Sequence, residues 1–320
     1  MSAALPVYDD PSYVALHDPF ARPLHFVGLE LVITACFAIT VTHAVSRYRQ
    51  GERYHAFQWL VIFAYGVAME LLAFNYYQNY EHGTFAVQLY HGKLPLYVTF
   101  LYVVFHYTGI KLVERLRLGV LPEALLAGLA ICALDVPFDS LGVDAGWWRW
   151  SAADATLAVR WLGVPVTSYY WYMLFGAILT GSCRLLRRRV EPLGLPAMAA
   201  LAPLVAVGVI VLGVVAFLPF HGLKALGVGD GTIVAAHMAA CGGLALGVRA
   251  PNATRAPWEI VGVVVALHAW HLVVLAVLWR HGRATEAPLK LVAIVSAALV
   301  SAILAWGLPV SRAMRVPVPT

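Results

Sequence analysis

Asp135 and Asp139 stand four residues apart in Leu134-Asp135-Val136-Pro137-Phe138-Asp139, at the end of a stretch that is otherwise apolar. A helix places residues at that spacing on one face. Two carboxylates so close do not both ionise readily, so one is expected to keep its proton. A carboxyl that stays protonated near neutral pH can serve as a general acid. Pro137, between them, lacks a backbone donor and is expected to bend or end the helix. Two further acids lie in apolar surroundings: Glu30, and Glu70 in Met69-Glu70-Leu71-Leu72. Ionisable groups inside a membrane span are costly and point to function. Helix capping or ion pairing is the competing role, above all for Glu30.

The elements that must position these acids are membrane spans. Of the 320 residues 61% are hydrophobic and only 12% charged, and mean hydropathy is +0.75. A spanning helix needs about 20 mostly apolar residues. Such stretches occur near 26–46, 56–75, 94–113, 120–139, 163–183, 196–220, 230–248, 257–279 and 289–308. The expected fold is all-α, a polytopic membrane bundle of about nine helices. The apolar runs are continuous and do not alternate, which argues against a β-barrel. Residues 1–25 form an extramembrane segment, 26–310 one transmembrane domain and 311–320 a cytoplasmic tail. The first 25 residues contain Asp9, Asp10, Asp18 and four prolines and show no cleavable leader, so the first span is expected to direct insertion.

Basic residues set the orientation. Arg47, Arg49 and Arg53 follow the first span, Lys111, Arg115 and Arg117 the third, and Arg184, Arg187, Arg188 and Arg189 the fifth. Arg249 and Arg255 follow the seventh, and Arg312 and Arg315 close the chain. Most of the 22 lysines and arginines thus share one side, which the positive-inside rule makes cytoplasmic, with the N-terminus outside. Arg280, Arg283 and Lys290 break this pattern. The net charge of +5 comes from these loops and signals no nucleic acid. With this orientation Glu30, Glu70, Asp135 and Asp139 all fall in the outer half of the bilayer.

The two halves of the chain differ. All 15 tyrosines lie at or before Tyr172, and after residue 183 the only acids are Glu191, Asp230, Glu259 and Glu286. Residues 26–183 read as the polar, aromatic, catalytic half and 184–310 as support built from small residues that let helices approach. The most distinctive stretch is Gly146-Trp147-Trp148-Arg149-Trp150, then Trp161-Leu162-Gly163-Val164-Pro165, then Tyr169-Tyr170-Trp171-Tyr172. An aromatic belt at the interface accounts for part of it. Rings that line a pocket and stabilise a carbocation account for the rest.

In order along the chain, Glu70, Leu94-Pro95-Leu96, Asp135 with Asp139, Gly146-Trp147-Trp148-Arg149-Trp150 and Gly163-Val164-Pro165 resemble the integral-membrane carotenoid hydratase family, the bacterioruberin-type carotenoid biosynthesis proteins. In that family an early glutamate precedes Val-Pro-Leu, an Asp-x3-Asp segment precedes Gly-x-Trp-x-Trp, and Gly-Val-Pro opens the next span. The resemblance covers about residues 60–180. It departs at Tyr80-Glu81-His82-Gly83-Thr84-Phe85, where the family has a glycine-rich stretch, and at Ser168-Tyr169, where it favours Asn-Phe. The resemblance implies a lipophilic isoprenoid substrate and addition of water to a terminal alkene, with no metal or redox cofactor. Asp135 or Asp139 would protonate the alkene, and the other aspartate or Glu70 would act as base. Trp147, Trp148 or Tyr169 would lie beside the cation, and Trp150, Tyr90, Pro95, Pro165 and Glu30 complete the expected substrate-binding set. The same groups would serve a cyclase.

Other readings compete. Membrane prenyltransferases also use about nine helices and an Asp-x3-Asp element, but position 131 is Ile where they need Asn, and the C-terminal half has no second aspartate-rich motif for Mg-diphosphate. A transporter or non-catalytic scaffold is the third reading, weakened by the lack of internal symmetry. A retinal protein is disfavoured because Lys93, Lys111, Lys224 and Lys290 lie at span ends or in loops. His268 and His271 share a helix face. Too few histidines are ordered for a metal site, so helix-to-helix hydrogen bonding is their expected role. Cys36, Cys132, Cys183 and Cys241 read as buried small hydrophobes without metal spacing.

Overall fold

A computed structural model describes residues 12–247, 250 and 253–306; the expected tail, 311–320, with Arg312 and Arg315, and Arg249 of the basic loop lie outside them. Among the described residues each of the nine apolar stretches falls on a long helix. These are α1 (Leu24–Arg49), α2 (Tyr54–Tyr77), α3 (Leu96–Glu114), α4 (Val120–Ala145) and α5 (Val166–Val190). They are followed by α6 (Leu195–Ala225), α7 (Asp230–Gly247), α8 (Trp258–Arg280) and α9 (Ala287–Trp306). Seven are long and apolar enough to cross a membrane; α5 and α7 are the two that are not. The fold is an α-helical membrane bundle.

Burial separates the helices. In the most apolar window of α3, 78% of residues are buried, against 28% in α1 and 33% in α6 and α9, so α3 is the central helix. The outward face of α6 is a stripe of Leu204, Val207, Val211, Val215 and Leu218, apolar and exposed as a lipid-facing surface is. Tight helix contacts depend on glycine. A Cβ on Gly128 of α4 would stand 2.2 Å from the Met173 carbonyl oxygen of α5, so these two backbones touch.

Seven short strands gather at one end of the bundle, an addition to the all-α expectation. They are β1 (Val14–Leu16), β2 (Tyr80–His82), β3 (Val87–Leu89), β4 (Leu94–Pro95), β5 (Trp148–Trp150), β6 (Arg160–Trp161) and β7 (Val164–Pro165). They pair as β1-β3-β4, β2-β5 and β6-β7. Pro95 and Pro165 close β4 and β7 and stand at the N-caps of α3 and α5, where a missing backbone N–H costs nothing.

Charged contacts close both ends. Glu191 accepts from Arg53 N at 3.1 Å and Tyr54 N at 3.2 Å and so caps α2. Near it lie the pairs Arg184–Glu123 at 3.2 Å and Arg187–Glu114 at 3.4 Å. Arg115 donates to the carbonyls of Thr254, Ile303 and Leu304 and ties down the end of α9. At the strand end, Lys290 is almost fully buried, 2.5 Å from Asp144 Oδ2 and 2.6 Å from Ser140 O. Arg283 donates to the carbonyls of Asp144 and Ala145 at the end of α4. Two of the three basic residues that break the charge pattern, Arg283 and Lys290, are therefore engaged with the end of α4.

Pro137 neither ends α4 nor separates the aspartates. The helix continues to Ala145, where Gly146 in the left-handed region (φ 78°) terminates it.

Candidate functional site

Beneath the strands a cavity of about 510 Å³ opens between α2, α3, α4, α5 and α6. Its wall is largely aromatic, with Tyr65, Tyr80, Tyr102, Phe105, Trp148, Trp150, Trp171, Tyr172 and Phe217. Glu70 and Asp135 face it together, and among the described residues no lysine or arginine lines it.

Glu70 sits in the last α-helical turn of α2, before the π-helical turn at Ala73–Tyr77. Its Oε1 accepts two hydroxyl donors, Tyr80 at 2.8 Å and Tyr102 at 2.9 Å. Its Oε2 has no hydrogen-bond partner and lies 3.6 Å from His82 Nε2. Burial, and next the Glu70 charge, hold the Tyr80 hydroxyl well above the ordinary phenol range, so it stays a donor.

The strand pair β2-β5 explains how Tyr80 and His82 reach this carboxylate. Its register sets Tyr80 opposite Trp150, Glu81 opposite Arg149 and His82 opposite Trp148. Side chains alternate across a strand. Tyr80, His82, Trp148 and Trp150 therefore turn to the cavity, while Glu81 and Arg149 pair with each other on the exposed side.

Asp135 and Asp139 share one face of α4, both almost fully buried. Among the described residues nothing donates a hydrogen bond to Asp135. Asp139 accepts the hydroxyl of Tyr172 from α5 and is not part of the cavity wall. The α3 wall includes a second π-helical turn, Val103–Tyr107, which supplies Phe105 and His106. Such turns accommodate an extra residue and often mark functional sites.

Of the residues singled out by sequence, Glu70, Asp135, Trp148 and Trp150 line the cavity and Asp139 touches it through Tyr172. The others lie elsewhere. Glu30 accepts the backbone N–H of Ala86 at 3.1 Å and anchors the loop before β3. Trp147 is fully buried, donates to His25 Nδ1 at 3.1 Å and stacks on Phe138. Tyr169 donates to the Trp161 carbonyl at 3.0 Å and Tyr90 to Asn75 at 3.0 Å. Pro95 and Pro165 set helix starts. Sequence reasoning gave no individual role to Tyr80, His82, Tyr102 or Tyr172, although Tyr172 belongs to the aromatic stretch and Tyr80 and His82 to the segment that departs from the family pattern. For the first two the signal was present, since Tyr80-Glu81-His82 and Trp148-Arg149-Trp150 alternate ring and charge with period two.

His268 reaches Ser301 of α9 at 3.4 Å as expected, but against the same expectation His271 has no hydrogen-bond partner among the described residues. Among the described residues no three His, Cys, Asp or Glu side chains are grouped to hold a metal ion. The four cysteines are buried and unpaired.

A family described as "Domain of unknown function (DUF7802)" matches residues 16–192, more than half of the chain. The chain belongs to this family. The matched segment holds the strands β2 to β7 and all of the cavity wall except Val214, Phe217, Leu218 and His221. No curated protein and no solved structure matches the chain.

Proposed function

We propose that this chain is a membrane enzyme that protonates the alkene of a lipophilic, carotenoid-like isoprenoid with a carboxylic acid and lets the cation be hydrated or cyclised. The observation that carries this reading is the convergence of Glu70 and Asp135 on one aromatic cavity without cationic lining. Asp135, lacking a donor, gives its proton to the less substituted alkene carbon, and the positive charge forms on the other. Tyr, Trp and Phe faces stabilise that charge. Water then adds to the cation and loses a proton to Glu70, whose free oxygen lies beside His82. Return of that proton to Asp135 completes a net addition of water. Asn79, Asp154 and Thr156 line the loop side of the cavity and favour water as the trapping group. The resemblance of residues 60–180 to carotenoid hydratases points the same way.

Prenyl transfer from a diphosphate is the second reading. It calls for two aspartate-rich motifs and for cationic groups near the phosphates; the cavity wall carries single carboxylates from separate segments and, among the described residues, no lysine or arginine.

The proposed topology has nine spans, with the N-terminus outside and the C-terminus in the cytoplasm. Four arginines at the end of α5 lower its mean hydropathy although it is 25 residues long. α7, with 18 residues, reaches about 27 Å at 1.5 Å per residue, close to the hydrocarbon thickness. The engagement of Lys290 and Arg283 with the end of α4 supports this orientation, since it gives two of the three exceptional basic residues a local role.

Expression in a lycopene-producing host, followed by pigment analysis, tests the activity. A hydroxylated or cyclised product is expected. Unchanged lycopene beside stable, membrane-inserted protein would refute it.

A further inference from the structure

The cavity reaches the outer surface of the bundle. Its wall includes Tyr77, at the end of α2, and Val214 and Leu218 of α6. These are 46%, 42% and 59% exposed. Val214 and Leu218 belong to the same stripe as Val211 and Val215, the apolar outward face of α6. The wall of the chamber is thus continuous with a surface suited to lipid.

Helix packing accounts for the gap. Lower down, α2 and α6 meet through Phe57 and Val61 against Met198 and Ala202. From Val61 to Ala73 and from Ala202 to Val214 the chain climbs equally, about 18 Å in each helix at 1.5 Å per residue. At that height α2 changes to its π-helical turn, and Tyr77 of that turn and Val214 and Leu218 of α6 line the cavity. Trp171 forms the back of the gap, with its ring centroid 5.7 Å from Phe217 and 6.4 Å from Tyr77.

The two carboxylates Glu70 and Asp135 sit at the enclosed side, 2% and 6% exposed, while exposed His221 lies near the gap on α6. A chamber of about 510 Å³ falls in the range that encloses a drug-sized molecule. A longer chain must therefore extend beyond it.

We propose that the gap between the end of α2 and α6 is a lateral entrance, through which a long, uncharged hydrocarbon chain enters from the bilayer end first, so that only its terminus reaches Glu70 and Asp135. The proposal rests on the alkene reading for the identity of that chain, but the entrance can be tested without it.

The test uses the full chain in phosphatidylcholine vesicles containing a fatty acid with a diazirine on its alkyl chain. Photolysis should label Leu101 and Phe105, cavity-wall residues on the largely buried α3. Val214→Trp and Leu218→Trp, which fill the gap, should abolish that label. Leu212→Trp, on the same helix and exposed but outside the cavity wall, should keep it. Glu70→Gln should also keep it while losing turnover, which separates entry from chemistry. Absence of label on Leu101 and Phe105 in the unaltered protein, or label unaffected by both tryptophans, overturns the entrance. Failure to convert lycopene, with the label pattern intact, overturns only the alkene reading.

Discussion

His82 Nε2 stands 3.6 Å from Glu70 Oε2, while two tyrosine hydroxyls occupy the other oxygen of the same carboxylate. One oxygen is held in place and the other is left to react. Glu70→Gln keeps an acceptor for Tyr80 and Tyr102 but cannot take a proton. Turnover should fall by about 10²–10⁴-fold, the usual contribution of general acid–base catalysis, with expression unchanged. His82→Phe, which removes the adjacent imidazole, should give a smaller loss in the same pigment assay. Full activity in Glu70→Gln would remove it from the mechanism.

The two aspartates should separate by role. Asp135→Asn removes the acid that faces the cavity and should lower turnover by about 10²–10⁴-fold. Tyr172→Phe removes the donor to Asp139 and should lower unfolding stability by about 1–3 kcal/mol, read by thermal unfolding in detergent. Equal turnover in Asp135→Asn and the unaltered chain would count against Asp135 as the acid.

Lys290→Met leaves the Asp144 carboxylate without its cation among Ser140, Thr285 and the end of α4. Breaking one side of a buried pair costs about 3–5 kcal/mol. The double change Lys290→Met with Asp144→Leu should recover much of that loss. Thermal unfolding of both single variants and the double decides it: an additive result would mean that the two side chains are not coupled.

Two glycines offer a contrast. A Cβ on Gly142 would stand 2.0 Å from the Trp148 ring, a side chain of the cavity wall. A Cβ on Gly128 would meet the backbone oxygen of Met173. Gly142→Ala should displace the indole and depress turnover, with an overpacking cost of about 1–3 kcal/mol. Gly128→Ala forces two helices apart, so its stability loss should be the larger. Paired melting and turnover measurements would show whether the two effects separate in this way.

The helices were legible because each is a continuous apolar stretch, and the buried acids stood out against that background. Which face each acid presents was not legible. α1 is apolar all round, so nothing in its sequence showed that Glu30 turns to the Ala86 backbone and not to the cavity. Pro137 suggested a break, yet α4 runs on past it, because packing on both sides overrides the loss of one hydrogen bond. Tyr102 and Tyr172 resemble packing tyrosines until their hydroxyls are seen on carboxylates. The strands are only two or three residues long, below the length at which alternation separates from chance. Without β2 and β5, neither the route of His82 to Glu70 nor the opposite fates of Trp147 and Trp148 could be read.

The last helix is strapped to the first half of the chain at both ends, by Lys290 to Asp144, 146 residues apart, and by Arg115 to Leu304, 189 residues apart. During synthesis Asp144 and Arg115 emerge long before their partners exist. Until α9 is made, Asp144 has Thr285 but not Lys290, and Arg115 has Thr254 but not the Ile303 and Leu304 carbonyls. Arrival of the final segment neutralises one and satisfies the other in a single step. A chain that stops before α9 would leave a carboxylate and a guanidinium, at opposite ends of the bundle, each short of a partner.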